Sequence, residues 1–205
     1  MIKALMIDVD GVIVNGRPAD GRHWGAELET DLRLSFTVFQ DAFFKPHWEQ
    51  IVTGRAGLRD RLGSVLAEIA PGITPEQLLN YWFQHDARLN DRFLQDLAVL
   101  RSDGLQAYLA TNQEHERARY LMHDLGLASH VDGCHYSAAV GYRKPHNQFF
   151  RTVARKVGLP PDELLLIDDS ETNVRAAVAA GWRAAHWTPS QTLSSIMGQL
   201  SATAV

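Results

Sequence analysis

A chain of 205 residues, with 45% hydrophobic and 21% charged residues, has the length and make-up of one globular domain of ordinary size plus an insertion. Its net charge of -4 and pI near 6.1 argue against a general electrostatic footprint for nucleic acid or an anionic membrane, either of which needs clustered Lys and Arg. One cysteine, Cys134, excludes an internal disulfide and no Cys/His spacing resembles a zinc site, so a cytoplasmic protein with Cys134 as a small buried apolar residue is expected.

The elements follow in chain order. Residues 4–7 form a short continuous apolar run, the pattern of a strand buried in a parallel sheet. The run is too short for a signal sequence, and nowhere do about 18 apolar residues occur together, so neither a targeting nor a membrane-spanning segment is expected. Asp8-Val9-Asp10-Gly11 comes next. Side chains at i and i+2 of a strand point to the same side, so Asp8 and Asp10 converge on one centre, and Gly11 lets the chain turn sharply after them. Such a pair suits metal-assisted chemistry on a phosphate, although Asp-X-Asp-Gly also occurs in turns and calcium loops. Beyond Asn15 a Gly/Pro-containing loop at 16–22 leads into helical patterns at about 30–44, 58–69 and 75–89, punctuated by Pro46 and Pro71-Gly72. Phe36, Phe39 and Phe43 fall at i, i+3 and i+7 and read as a core-packing stripe.

From Arg92 onward helix and strand alternate. Helices are expected at 93–101, 114–125, 145–157, 171–180 and from about 190, and strands at 106–110, 131–136, 163–167 and 182–186. Alternation implies a parallel sheet. The fold expected is therefore α/β: a doubly wound, Rossmann-like parallel sheet formed by residues 1–15 and 92–205, with an inserted helical subdomain at 16–91.

In open parallel sheets ligands bind outside the carboxyl ends of the strands. Three such ends carry functional groups: Asp8 and Asp10, then Thr111 and Asn112, then Asp168 and Asp169. Lys144 lies in a loop just before Pro145, where proline suits a first helical turn. Each has a plainer explanation. Thr111 could cap a helix with Glu114 as its capping-box partner, Lys144 could be a solvated charge, and Asp168 and Asp169 could cap the helix that starts near Ser170. Adjacent carboxylates nevertheless repel and favour a cation beside them.

The order Asp8-Val9-Asp10-Gly11-Val12, Ala110-Thr111-Asn112-Gln113, Gly141-Tyr142-Arg143-Lys144-Pro145 and Ile167-Asp168-Asp169-Ser170-Glu171-Thr172-Asn173 resembles the haloacid dehalogenase superfamily over the whole chain. Most members of that superfamily are phosphatases, and the insertion looks like its helical type of cap. The resemblance implies that Asp8 is the nucleophile and Asp10 the general acid and base. It implies Mg²⁺ held by Asp8, the Asp10 main-chain carbonyl and Asp169, with Asp168 a further candidate ligand. Thr111 and the Asn112 amide would hold phosphoryl oxygens, Lys144 would offset charge on nucleophile and phosphate, and Asn173 would orient Lys144 or Asp169. Asn15 stands where related sequences often have an acid.

The implied substrate is a small-molecule phosphate ester, with sugar phosphates the leading expectation. His23, Trp24, His47, Trp48, Trp82, His85, Asp86 and Asn90 are the insertion's candidates for facing it, although core or surface roles suit each of them as well, and Arg143 could add a phosphate contact. No nucleic-acid or membrane partner is expected, and the chain is a monomer or homodimer. A phosphomutase or dehalogenase of the same superfamily, or a non-catalytic binding protein with this fold, are the other readings.

Overall fold

The computed structural model describes the backbone of residues 1–202 and the side chains of residues 1–199. After strand β1 (Ala4–Ile7) come helices α1 (Leu28–Leu32), α2 (Phe36–Phe39), α3 (Lys45–Val52), α4 (Leu58–Ile69) and α5 (Pro75–His85). The remainder alternates: α6 (Asp91–Ser102), β2 (Gln106–Thr111), α7 (His115–Arg119), β3 (Gly133–Tyr136), α8 (Ser137–Val140), α9 (Asn147–Val157), β4 (Leu164–Asp168), α10 (Glu171–Ala179), β5 (Arg183–His186) and α11 (Leu193–Ala202). Among the described residues no helix is long and apolar enough to cross a membrane.

All four residues of β1 are buried, and they alternate in direction. Leu5 and Ile7 join Phe93 and Leu97 of α6 and Leu193 of α11, whereas Ala4 and Met6 join Phe149, Phe150 and Val153 of α9 and Ala177 of α10. A strand covered on both faces belongs inside a parallel sheet layered by helices. The sheet is parallel throughout, in the order β3-β2-β1-β4-β5. The doubly wound sheet expected from the alternation is therefore the fold observed.

The helices between Leu28 and His85 have an apolar cluster of their own, built around Trp24, Phe39, Phe43, Leu62, Leu78 and Trp82. The chain leaves for this unit and returns from it along two adjacent connectors, with Asn15 N–H donating to Arg88 O (2.9 Å), Arg88 N–H to Gly16 O (3.0 Å) and Asn90 N–H to Ile13 O (2.8 Å). Buried Arg117 of α7 donates to Phe83 O (3.3 Å) and Asp86 O at the exit of α5, pairs with the Asp86 carboxylate (3.3 Å), and lies 5.3 Å from the ring centres of Phe83 and Tyr120. It ties the helical unit to the sheet.

Several boundaries differ from the sequence expectation; among them, the helix expected at 75–89 ends at His85 and the one expected at 114–125 is α-helical only over His115–Arg119. The helix expected at 30–44 breaks at Arg33, which is left-handed (φ 56°), and then continues past Pro46 to Val52. Pro46 is tolerated because a π-turn at Gln40–Phe44 precedes it, with Lys45 N–H reaching back to Gln40 O. The wider turn moves the Ala42 carbonyl off the proline ring, which would strike it in a regular α-helix. The helix expected to open at Pro145 instead begins at Asn147, after His146.

Phe39 and Phe43 are buried and stacked at 5.1 Å, whereas Phe36 is half-buried, so the aromatic stripe is core for two of its three rings. Phe43→Ala should destabilise the protein by ~3–5 kcal/mol through loss of burial plus a residual cavity, as urea unfolding would measure.

Candidate active site

Ile7 is level with Ile167 of β4 and with Leu109 of β2, so Asp8 and Asp168 emerge side by side from neighbouring strands and Thr111 ends the strand on the other flank. The chain winds outward from β1 through β2 to β3 and then returns to the opposite side of β1 at β4. The two acids therefore stand where the winding reverses, the place at which an open α/β sheet leaves a crevice.

Lys144 reaches this point from the loop before α9 and is 1% exposed. Its Nζ is 2.6 Å from Asp168 Oδ2 and 3.0 Å from Asp8 Oδ2. The Asn112 side chain holds the lysine's main chain at both ends: Lys144 N–H donates to Asn112 Oδ1 (2.8 Å), and Asn112 Nδ2 donates to Lys144 O (3.0 Å). Asp168 is fixed by Ser170 N–H (2.9 Å to Oδ1) and by Asn173 Nδ2 (3.0 Å to Oδ1, 3.2 Å to Oδ2). Asp8 Oδ1 accepts from Val9 N–H at 2.8 Å.

Burial pushes the Asp8 carboxyl up to about 7, against the pull of Lys144 and with further push from Asp168 and Asp10. Burial alone would lower the Lys144 ammonium, but Asp8 and Asp168 outweigh it and raise its pKa. Asp10 opens onto the cleft, and Gln113 Nε2 donates to its Oδ2 at 2.6 Å. Its pKa is raised, first by partial removal from water and then by the charge of Asp86.

Asp169 is exposed, and its main-chain oxygen lies 2.8 Å from His186 Nε2. Its carboxylate packs on Gly11: a Cβ at residue 11 would stand 2.1 Å from Asp169 Oδ2, and Gly11 has φ +80°. The positive φ favours glycine there, and an added Cβ would force the Asp169 carboxylate to move. Carboxylate oxygens of Asp8, Asp168 and Asp169 lie within 4.8 Å of one another, a hard, all-oxygen donor set of the kind Mg²⁺ takes. Thr111 is 1% exposed and its Oγ1 has no hydrogen-bond partner among the described residues, which leaves the hydroxyl free to pair with a ligand oxygen.

The expected residues converge, with changes of role. Glu114, not Thr111, caps α7, accepting from Glu116 N–H and Arg117 N–H, so the helix-cap reading of Thr111 fails. Lys144 is buried rather than solvated. The Asn112 side chain, expected near phosphoryl oxygens, also holds the Lys144 main chain through Oδ1 and one Nδ2 hydrogen. Asn173 holds Asp168 rather than Lys144 or Asp169. Both Asp168 oxygens carry protein donors, whereas the Asp169 carboxylate accepts none from another described residue. Arg143 pairs with Glu49 at 2.6 Å.

Gln113, Arg117 and His186 were not singled out in the sequence. Gln113 follows directly on Thr111-Asn112, a position that could have drawn attention to it. Arg117 and His186 carry no comparable sequence signal.

Between the carboxyl edge of the sheet and the helical unit lies a cavity of about 470 Å³, floored by Asp10 and Gly11 and walled chiefly by Trp24, Phe44, Trp48 and Trp82. Of the candidates in the insertion, His23, Trp24, Trp48, Trp82 and Asp86 line it, as does Asn15. His47 does not, His85 stacks on Tyr81 at 4.0 Å, and Asn90 caps α6.

Residues 2–181 match the haloacid dehalogenase-like hydrolases, and the chain belongs to that family. Within it, the curated relatives place the chain among the phosphatases. A sesquiterpene phosphatase of Aspergillus oryzae is 25% identical over 193 residues, 92% of this chain and 91% of that protein. A phosphoglycolate phosphatase of Salmonella typhi is 31% identical over 85 residues, 42% of this chain but only 34% of that protein's length. Among solved structures, a family enzyme of Bacteroides thetaiotaomicron in complex with magnesium and inorganic phosphate superposes with a TM-score of 0.80 at 19% identity, covering 96% of this chain and 99% of that one. The L-2-haloacid dehalogenase of Xanthobacter autotrophicus gives a TM-score of 0.64 at 20% identity, covering 98% and 83%.

Two outcomes test this geometry. Gly11→Ala should displace the Asp169 carboxylate and weaken Mg²⁺ binding, measured by calorimetry, while the circular dichroism spectrum stays that of the native protein. Asp8 holds its proton more tightly folded than unfolded, so the metal-free protein loses stability as pH rises from about 4 to about 7. Asp8→Asn removes that loss. In urea unfolding the metal-free variant should be more stable than wild type at pH 8, by on the order of a few kcal/mol, with the gap closing toward pH 4.

Proposed function

We propose that the chain is a Mg²⁺-dependent phosphomonoesterase that works through an aspartyl phosphate on Asp8, with the helical unit at 16–91 acting as a cap over the site. The observation that carries this reading is the split between two acids two residues apart. Asp8 is nearly buried and held by Val9 N–H and Lys144, whereas Asp10 opens on the cavity, its carboxyl held among the described residues by Gln113 alone. Paired carboxyls in unlike surroundings take unlike tasks.

In the first step an Asp8 oxygen bonds to phosphorus as the bond from phosphorus to the ester oxygen breaks, and Asp10 gives its proton to the departing alkoxide. In the second, Asp10 takes a proton from water, the water oxygen bonds to phosphorus and the bond from Asp8 to phosphorus breaks. Inorganic phosphate leaves, and Asp8 and protonated Asp10 are restored. Thr111 Oγ1 and Lys144 Nζ receive phosphoryl oxygens, and Asn112 serves by placing Lys144. Mg²⁺, held by Asp8, Asp169 and the Asp10 main-chain carbonyl, would neutralise phosphate and nucleophile. Asp168 serves Lys144.

A dehalogenase uses its first acid on carbon and has no need of Asp10 or of Asp168 and Asp169, so these residues favour phosphoryl chemistry. The relatives act on different compounds by their names, a sesquiterpene phosphate, phosphoglycolate and GMP or IMP, so the class they support is a small phosphorylated metabolite. Sugar phosphates fall within that class.

Purified protein should hydrolyse p-nitrophenyl phosphate with Mg²⁺ and stop on addition of EDTA. Asp8→Asn should abolish turnover, and full turnover in that variant would contradict the mechanism. Asp10→Asn should slow alkyl phosphates by roughly 10²- to 10⁴-fold. It should slow p-nitrophenyl phosphate less, because that leaving group needs little protonation.

A further inference from the structure

Resting on the phosphatase reading, we infer that the cavity over Asp10 selects phosphate esters whose alcohol is uncharged and apolar, an aryl or hydrocarbon group, over sugar phosphates and over esters bearing a second acid. Five rings line it: Trp24, Phe36, Phe44, Trp48 and Trp82. They touch one another, Trp24 stacked on Trp82 at 5.2 Å, Phe44 against Trp48 at 5.1 Å and Trp48 against Trp82 at 5.8 Å, and so form one continuous apolar wall. Phe36, Phe44 and Trp48 remain half-buried, with apolar surface left for a ligand to cover.

The backbone is arranged to hold that wall. Phe36, Gln40, Phe44 and Trp48 are spaced four apart and all face the cavity. In a regular α-helix each such step drifts by about 40°, which would carry the last of them off the face. The π-turn at Gln40–Phe44 winds less per residue and cancels part of the drift.

Charge narrows the choice. Among the described residues none that lines the cavity is Lys or Arg. Partial burial lowers the pKa of His23, the lining's base, so it adds no cation at neutral pH. A second anionic group on the substrate would find no lysine or arginine on the lining to receive it. A cationic alcohol is not favoured either, because Asp86 is already paired with Arg117 and the rings pack on each other instead of surrounding an open box. For a sugar, the polar side chains are Asn15, Gln40, His23, Asp10 and Asp86, of which three are already engaged: His23 Nδ1 accepts from Gly25 N–H, Asp10 Oδ2 from Gln113, and Asp86 pairs with Arg117. A site that recognises hydroxyls pairs each of them.

The test compares octyl and geranyl phosphate with glucose 6-phosphate and glycerol 3-phosphate under Mg²⁺, all esters of primary alcohols with similar leaving groups. The apolar esters should show kcat/KM roughly tenfold or more above the polar ones. Trp48→Ala should shrink that ratio, and Trp48→Phe should keep most of it. Equal or reversed preference, or a ratio unchanged in Trp48→Ala, would overturn the inference. Binding is read separately: octanol and geraniol should change tryptophan emission saturably, and glucose should not. If p-nitrophenyl phosphate is not hydrolysed, the phosphatase reading fails, while the fluorescence titration still decides whether the cavity takes apolar alcohols; no saturable change with either alcohol counts against it.

Discussion

The ammonium of Lys144, buried between the carboxylates of Asp8 and Asp168, is the constraint on which the rest of the site depends. An unpaired lysine at that depth would cost several kcal/mol, and a buried pair is tolerated only when its remaining hydrogen-bonding capacity is filled. Here each partner is filled by another: Asp168 by Ser170 N–H and Asn173, Asp8 by Val9 N–H, and the lysine's own main chain by the Asn112 amide. These groups come from the ends of β1, β2 and β4, the loop before α9 and the first turn of α10. No smaller part of the fold could assemble them. One ammonium pairs with Asp8 and Asp168 while Asp169 stands beside them, so negative groups outnumber it, and that excess makes a divalent cation the natural complement on the Asp169 side.

The two sides of the cavity divide the labour. The sheet side holds the charge and the unpartnered Thr111 hydroxyl, while the helical side is aromatic. Asp10 sits where they meet, its carboxyl braced by Gln113 and raised in pKa, suited to pass a proton between the two. Arg117 and the paired connectors at 13–16 and 87–90 fix how the helical unit meets the sheet. Arg117 also balances Asp86, which would otherwise add another bare charge beside Asp10.

Much of this was legible in the residues. The apolar run at 4–7 and the regular alternation after Arg92 define a parallel sheet because burial on both faces and a period change from 2 to 3.6 leave few other solutions. Acids and hydroxyls directly after apolar runs mark the carboxyl edge for the same reason. The roles of Asn112 and Asn173 were not legible, because both depend on which main chain lies opposite in three dimensions. Nor was the course of the helix through Pro46. Proline reads as a stop, and only the π-turn before it lets the helix continue and brings Phe44 and Trp48 to the cavity. The stripe at 36, 39 and 43 was visible as helical spacing, but the functional one, at 36, 40, 44 and 48, lies on a spacing that a regular helix does not keep on one face.

The most direct measurement is an acid quench of the enzyme during turnover of a ³²P-labelled phosphomonoester, followed by proteolysis and mapping of the label. The account predicts alkali-labile label on the peptide that contains Asp8, absent from Asp8→Asn. Turnover with no label on that peptide at any quench time, together with inversion of configuration at a chiral phosphorus, would show direct attack by water and contradict it.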